Sequence, residues 1–200
     1  MSIENHTFDK YIPPNCNILI LGSFPSVISR NKNFYYMNKN NRFYKVLAAL
    51  LDENFLNEDI EIKKELLGKY HIGLFDVIKE CEITNSSDST IKNVIYNDIY
   101  NIVKENNIKH IFLNGKKAYE LFQNNFSELL NIATYLPSTS SANASFSLEK
   151  LISYYSVILT YNNWWKNIKL IGKRIRKIII DIFLNIITIN NFIKMIFYKK

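Results

Sequence analysis

Short apolar runs alternate with amphipathic stretches along most of the chain. Residues 17–21, "NILIL", are apolar at nearly every position, as expected of a buried central strand, and further strands are predicted over "IGLFDV", "IKHIFLNG" and "NIATYLP". Helices are predicted over residues 42–51, over a segment ending near Gly68, and over "VIYNDIYNIVKENN", "KKAYELFQNNF" and "SLEKLISYY". This order predicts an α/β fold, a three-layer α/β/α sandwich around a central, mostly parallel sheet of four to five strands.

The pattern changes near residue 160. The segment "KIIIDIFLNIITINNFIKMIFYKK" is dominated by Ile, Asn and Lys, and its Asp181, Lys194 and asparagines make it a poor transmembrane span. We predict one domain over residues 1–160 and a C-terminal extension over residues 161–200 that is helical or poorly ordered. An amphipathic, partner-binding helix is the alternative for this extension.

The net charge of +7 does not by itself indicate a nucleic-acid partner, because of where the charge lies. From Thr160 onward the chain has nine basic residues and one acidic residue, so residues 1–159 carry 16 basic and 17 acidic side chains, a net charge of −1.

Cys16 and Cys81 match no metal-ligand or disulfide spacing, and the N-terminus lacks the apolar core of a signal peptide. We therefore expect a cytoplasmic protein without a membrane partner.

Polar clusters follow four predicted strands. They are residues 22–26, Asp76, residues 114–115 and residues 137–143. The carboxyl ends of parallel strands meet at one edge of a sheet, so these clusters predict a single crevice. No nucleophile elbow, dinucleotide fingerprint or Walker sequence is present, and the histidines, which are His6, His71 and His110, are expected to be surface or structural residues.

The side chains of this crevice are amides, hydroxyls, one carboxylate and aromatic rings. Such a set suits a flat, uncharged heterocycle, since rings stack on its faces and amides read its edge. A base that leaves an oxocarbenium-like sugar needs a positioned water molecule and electrostatic stabilisation, and little covalent help.

Five motifs in order carry a resemblance to a known family. "GSFPS", the "YY" six residues before the Arg of "NRFY", "GLFDVIKEC", "FLNGKKAYELF" and "LPSTSSANAS" together resemble the uracil-DNA glycosylase superfamily, and within it the hypoxanthine-DNA (deoxyinosine) glycosylases. The resemblance covers roughly residues 15–160. It implies a monofunctional DNA glycosylase that flips deoxyinosine, and uracil as a second base, out of DNA and hydrolyses the N-glycosidic bond to leave an abasic site.

The resemblance implies a role for Asn41 as the catalytic residue, which holds or polarises the water that attacks C1′ of the deoxyribose. "GSFPS" itself contains no Asn or Asp, which is typical of the deoxyinosine branch. Capping of the helix that begins near Arg42 is the alternative for Asn41, and both roles are compatible.

The resemblance also implies a set of base-binding residues. Phe24 and Tyr36 are candidates to stack on the base, with core packing as the alternative. Asp76 would accept a hydrogen bond from N1–H of hypoxanthine or N3–H of uracil, with a capping or salt-bridge role as the alternative. Asn114 would bond the base or a catalytic loop, or shape a turn. The full base-binding prediction is Gly22, Ser23, Phe24, Pro25, Tyr36, Asp76 and Asn114.

"LPSTSSAN" resembles the loop that enters the minor groove as the base is extruded. Its hydroxyls and backbone N–H groups would contact phosphates without reading sequence. Ser141 replaces the proline of the usual family form, which loosens the loop; Tyr44 replaces a tryptophan, and Asn85 replaces a glycine in a segment that retains Ser86 and Asp88.

Basic residues that include Arg30, Lys32, Lys39, Arg42, Lys45, Lys116 and Lys117 would supply phosphate contacts, with a solvated basic face as the alternative. The DNA-binding prediction is Ser138, Thr139, Ser140, Asn143, Arg42 and Lys116.

The predicted enzyme needs no metal, iron–sulfur cluster or other cofactor, acts on DNA that contains a deaminated base, and is a monomer. Two alternatives stay open. One is a mismatch-specific uracil or thymine glycosylase, which "GKKAYE" also resembles, although the missing Asn of the first motif argues against it. The other is a DNA-binding member of the fold that has lost turnover.

Overall fold

The computed structural model describes residues 2–84 and 86–161 of the 200-residue chain. The strands are β1 (Ser2–Asn5), β2 (Ile18–Gly22), β3 (Ile72–Asp76), β4 (Ile78–Ile83), β5 (Lys92–Tyr96), β6 (His110–Asn114) and β7 (Ala133–Leu136). The α-helices are α1 (Val27–Lys32), α2 (Phe43–Leu51), α3 (Ile60–Lys69), α4 (Ile99–Glu105), α5 (Lys116–Asn125), α6 (Leu148–Tyr155) and α7 (Ile158–Tyr161). Short 3₁₀ helices cover Asp88–Thr90 and Ser127–Ile132.

A four-stranded parallel sheet forms the centre of the protein, in the order β3-β2-β6-β7. All residues of β2, β3 and β6 are buried, which explains their continuous apolar character, since helices flank a parallel sheet. The predicted α/β fold with its mostly parallel central sheet is confirmed. Gly22 lies opposite Asp76 and Asn114 lies opposite Leu136, so the carboxyl ends of the strands are level at one edge.

A second, antiparallel sheet of order β1-β4-β5 was not anticipated from the sequence. The helix predicted over "VIYNDIYNIVKENN" is wrong in its first half, where β5 pairs with β4. The helix α4 begins only after Asp98, whose side chain accepts a hydrogen bond from the backbone N–H of Asn101 at 3.1 Å. The apolar spacing of this segment fits both a strand and a helix, and pairing with β4 decides between them.

Aromatic side chains fill much of the core around the central sheet. Tyr35, Phe43, Phe55, Phe112 and Tyr155 are all fully buried, and α2 packs against α6. No helix within the described residues is both long and apolar enough to cross a membrane. Asn85 and the predicted extension beyond Tyr161 lie outside the described residues.

Candidate active site

A pocket of about 140 Å³ opens where the central strands end. It is smaller than the roughly 300–1,000 Å³ of a drug-sized ligand site and so suits a single heterocycle. It is lined by the predicted catalytic and base-binding residues together with part of the serine-rich loop, namely Gly22, Ser23, Phe24, Pro25, Tyr36, Asn41, Asp76, Asn114, Ser138, Thr139 and Ser140. The structure therefore brings the strand-end clusters together, while the roles of the individual residues stay predictions.

Asn41 lies at the pocket wall and at the beginning of α2. Its Oδ1 accepts a hydrogen bond from the backbone N–H of Phe43, the first residue of α2, at 2.9 Å, although the cap position itself is Arg42. Because the backbone can only donate there, this contact also determines which end of the amide is oxygen. The Asn41 amide is held in one orientation, with a second Oδ1 lone pair left to accept from a water molecule.

Asp76 is buried at the end of β3, and its Oδ2 lies 3.0 Å from Nε2 of His6. His6 was expected to be a surface or structural residue; its side chain is only 4% exposed, so it is not a surface residue, and it contacts a residue of the pocket. It follows directly on β1 and packs among the rings of Phe8, Phe24 and Phe75. No motif in the sequence marks His6, because it reaches Asp76 only through the pairing of β1 with β4.

Gly22 leaves room for the carboxylate of Asp76. A Cβ atom at Gly22 would lie 2.3 Å from Asp76 Oδ1, a distance that real side chains do not tolerate. A side chain at Gly22 would therefore force the Asp76 carboxylate, which approaches from the neighbouring strand, to shift.

The two candidate stacking residues differ in their surroundings. Phe24 is half-buried at the pocket, and the Arg30 guanidinium lies 5.3 Å from its ring centroid. Tyr36 stacks on Phe43 with ring centroids 4.0 Å apart, so one face of its ring is covered. Its hydroxyl is buried near the Asn114 side chain, and its proton meets no acceptor in hydrogen-bond geometry among the described residues.

The segment after β4 packs on the first motif. Ser23 Oγ donates to Asp88 Oδ1 at 2.7 Å, and the backbone N–H of Val27 donates to Ser86 Oγ at 3.1 Å. Although Asp88 as a whole is exposed, its carboxyl group faces the pocket, where burial raises its pKa and Asp76 adds to the rise. Asp88 is a second acidic group at the site and was not among the predicted site residues. The Ser86-x-Asp88 segment, which the sequence shares with the family, could have indicated its place in the site.

Asn114 bonds a loop residue through both ends of its amide. Its Nδ2 donates to Thr139 Oγ1 and its Oδ1 accepts from the Thr139 backbone N–H, both at 3.1 Å. The predicted contact with a loop is therefore present, and the contact with the base stays a prediction. Thr139 is fully buried, so its hydroxyl supports the loop in this conformation and does not reach the surface where a phosphate would bind.

Arg42 ties the serine-rich loop to the beginning of α2. Its side chain donates to the carbonyl oxygens of Thr139 at 3.4 Å, Ser140 at 2.7 Å and Asn143 at 3.0 Å, and also to that of Phe146. The guanidinium that was predicted to contact DNA is thus occupied by four carbonyl groups of one loop. These bonds hold the loop at a point where Ser141 provides none of the stiffness of a proline.

The other predicted DNA-binding residues lie at or near the surface. Ser138 Oγ accepts from the backbone N–H of Ser140 at 3.2 Å, and Asn143 Nδ2 donates to the Ser138 carbonyl at 2.9 Å. Ser141 is exposed at the pocket rim. Lys116 is exposed on α5, and its ammonium lies 3.5 Å from Glu120, a contact that solvent weakens.

The predicted basic cluster is partly neutralised. Arg30 lies 3.2 Å from Glu4 and Lys39 lies 3.2 Å from Glu58. Lys32 and Lys45 line a second cavity of about 310 Å³ that shares Asn41 with the first pocket. Within the described part of the chain, no group of three or more His, Cys, Asp or Glu side chains is arranged to hold a metal ion.

Comparison with known proteins gives consistent matches. The model of the uracil DNA glycosylase superfamily matches residues 10–160. A hypoxanthine DNA glycosylase from Methanosarcina acetivorans is 36% identical over 146 residues, which cover 70% of this chain and 89% of the relative. A hypoxanthine DNA glycosylase from Methanosarcina barkeri is 34% identical over 120 residues, covering 59% of this chain and 75% of the relative.

The fold also matches a solved structure. A solution NMR structure of a candidate uracil DNA glycosylase from Methanosarcina acetivorans superposes with a TM-score of 0.66 at 30% sequence identity. The match covers 79% of this chain and 99% of that structure.

Proposed function

The chain belongs to the uracil DNA glycosylase superfamily, and from this premise we propose that it excises hypoxanthine from DNA, with uracil as a second base. It is a DNA repair glycosylase of deaminated bases. The observation that carries the choice of a deaminated base is the base-sized pocket whose wall presents the Asp76 carboxylate. The two hypoxanthine DNA glycosylases among the relatives favour hypoxanthine as that base. A carboxylate accepts hydrogen bonds, and the ring N–H of hypoxanthine and uracil is a donor that adenine lacks.

Asn41 is the residue we assign to the attack of water on C1′. The contact with the Phe43 N–H fixes its amide, so a water molecule bound to the remaining Oδ1 lone pair has a defined position. As the N-glycosidic bond breaks, positive charge develops on the sugar and negative charge on the departing base. The protein contributes position and preorganised dipoles to this step.

The serine-rich loop is the part of the site we assign to the DNA backbone. Ser138, Ser140 and Asn143 contribute hydroxyl, amide and backbone groups, and Lys116 adds an exposed positive charge on α5. We propose that it acts as a monomer on DNA inside the cell. No step of this mechanism requires a metal ion or an organic cofactor.

Strand cleavage after alkali on a labelled duplex with one central deoxyinosine tests the proposal. Matched duplexes carry uracil, a thymine mismatch or undamaged bases. Cleavage at deoxyinosine above uracil supports the proposed base preference, and cleavage only at uracil or at the mismatch overturns it. Binding to the deoxyinosine duplex without any cleavage would identify a DNA-binding member of the fold without turnover.

A further inference from the structure

Two polar atoms, the hydroxyl of Tyr36 and Oδ1 of Asp76, meet beside Gly22. The hydroxyl of Tyr36 is buried near the Asn114 side chain, and its proton meets no acceptor in hydrogen-bond geometry among the described residues. A Cβ atom at Gly22 would lie 3.3 Å from that hydroxyl and 2.3 Å from Asp76 Oδ1. A donor and an acceptor therefore face the same small space at the wall of the pocket.

The backbone at Tyr36 supports a functional origin for this arrangement. Its φ of 56° lies in the left-handed region, which is rare for a bulky residue and costs free energy. The ring is held by the stack on Phe43, so the hydroxyl has little freedom to turn elsewhere. A strained residue with a buried, unpaired hydroxyl destabilises the protein, and such features persist mainly where a ligand uses them.

His6 controls the orientation of the acceptor. A carboxylate oxygen can only accept, so Nε2 of His6 must carry the hydrogen in its 3.0 Å contact with Asp76 Oδ2. This contact directs Oδ1 toward Gly22. His6 also lies before residue 10, where the match to the superfamily model begins, so it adds an element outside the matched region.

The proposed function already assigns the ring N–H of the base to Asp76. We propose that Tyr36 completes the reading of the lactam edge of the flipped base and that His6 positions Asp76. The Tyr36 hydroxyl donates to the exocyclic carbonyl oxygen, and Asp76 Oδ1 accepts from the adjacent ring N–H. This assignment deepens the proposed glycosylase function and rests on it. It makes Tyr36 a hydrogen-bond donor, whereas the sequence had suggested a stacking residue.

The pair defines the class of base that fits. Hypoxanthine and uracil both place a carbonyl next to a ring N–H, whereas adenine presents an amino donor and a ring acceptor, the reverse pattern. Burial and the Asp76 carboxylate raise the pKa of Tyr36, against a smaller opposing effect of Asn114, so the hydroxyl keeps its proton and remains a donor. Guanine has the same lactam edge, so the pocket itself does not reject it. Its stable pairing with cytosine must instead keep guanine in the duplex, so that it is not flipped into the pocket.

The variant Tyr36→Phe, with Tyr44→Phe as its matched control, separates this role from a structural one. The Tyr44 hydroxyl is buried but donates to the Tyr35 carbonyl at 2.9 Å, and Tyr44 does not line the base pocket. Tyr44→Phe should lower the urea midpoint of unfolding and leave excision of hypoxanthine by the folded protein unchanged. Tyr36→Phe should leave the midpoint unchanged or raise it, and lower kcat/KM on deoxyinosine about tenfold.

Binding to two duplexes that differ only in the target base shows whether Tyr36 and His6 act on the lactam edge of that base. Affinity is measured for duplexes that carry cleavage-resistant 2′-fluoroarabino forms of inosine or of nebularine, a purine without the carbonyl and the ring N–H. Tyr36→Phe should weaken binding of the inosine duplex about tenfold more than binding of the nebularine duplex. His6→Leu should show at least the same difference, and His6→Gln, which keeps a donor toward Asp76, should restore most of it.

The two proposals fail in different ways. If the wild-type protein releases neither hypoxanthine nor uracil, the proposed function is wrong and the reading of the lactam edge is wrong with it. If the protein releases hypoxanthine but Tyr36→Phe and His6→Leu weaken both duplexes by equal factors, only the assignment of this pair is overturned.

Discussion

Replacement of Arg42 by Met tests whether this residue is a support for the loop or a contact to DNA. Met keeps most of the aliphatic length and removes the guanidinium, which donates to carbonyl groups of Thr139, Ser140, Asn143 and Phe146. No other described side chain bonds so many carbonyl groups of this loop. The change therefore removes the side-chain connections between the loop and the beginning of α2, while the backbone N–H of residue 42 still donates to the Thr139 carbonyl at 3.0 Å.

The expected loss of stability follows from these hydrogen bonds. A hydrogen bond from a charged donor contributes about 1.5–3 kcal/mol, but these four share one half-buried group, and water can replace some of them. We expect the free energy of unfolding to fall by about 2–4 kcal/mol in urea titrations. This leaves the protein folded, since domains have about 5–15 kcal/mol in total.

The dependence of DNA affinity on salt distinguishes the two roles. A variant that no longer binds one phosphate shows a slope of log K against log[salt] that is smaller by about 0.9. Because the Arg42 guanidinium is occupied by the loop, Arg42→Met should weaken binding without changing this slope. Lys116→Met is the matched control, because Lys116 is exposed and its described ion-pair partner is Glu120 on its own helix. Its stability should change by less than about 0.5 kcal/mol, while the slope should fall by about 0.9 if Lys116 binds a phosphate.

The reasoning on Arg42 is refuted by one combination of results. If Arg42→Met lowers the slope by about 0.9 while the free energy of unfolding stays within about 0.5 kcal/mol, the guanidinium binds DNA and does not support the loop. Arg42→Lys should not rescue stability, because a single ammonium cannot serve carbonyl groups that a planar fork reaches together.

Three further variants test the site and the core. Asn41→Ser keeps a side chain that caps helices well, so its stability should stay within about 1 kcal/mol of the wild type while hypoxanthine release is lost; equal release would exclude Asn41 from catalysis. Gly22→Ala must displace Asp76 Oδ1, so kcat/KM on deoxyinosine should fall about ten- to a hundredfold, whereas Gly68→Ala, within α3, should leave it unchanged. Burial lowers the pKa of His110 to about 4, below the value near 6.5 of an unfolded chain, so the unfolded protein binds a proton that the folded one does not. The free energy of unfolding should therefore fall by about 2 kcal/mol between pH 7 and pH 5, and His110→Asn, measured by the same urea titrations, should reduce this dependence.

The pattern of apolar residues along the chain was enough to predict the strands of the central sheet. The apolar runs that became β2, β3 and β6 are buried on both faces, so each is recognisable without knowledge of its partners. The antiparallel sheet was missed because β4 and β5 are half-exposed and mix charged with apolar positions. Such strands are stabilised by their pairing, which joins segments that are distant in sequence.

The class of the fold, the edge of the sheet where the site lies, and the residue types that line it can all be derived from the amino-acid order. They follow from local periodicity and from the rule that parallel strands end together. How those residues interact with one another depends on the folded chain. Folding placed His6 on Asp76 and turned the Arg42 side chain toward the serine-rich loop, and it left the Tyr36 hydroxyl without an acceptor beside Gly22. No local pattern predicts these arrangements, because hydrogen bonds act over about 3 Å, between groups that strand pairing and helix packing bring together from distant parts of the chain.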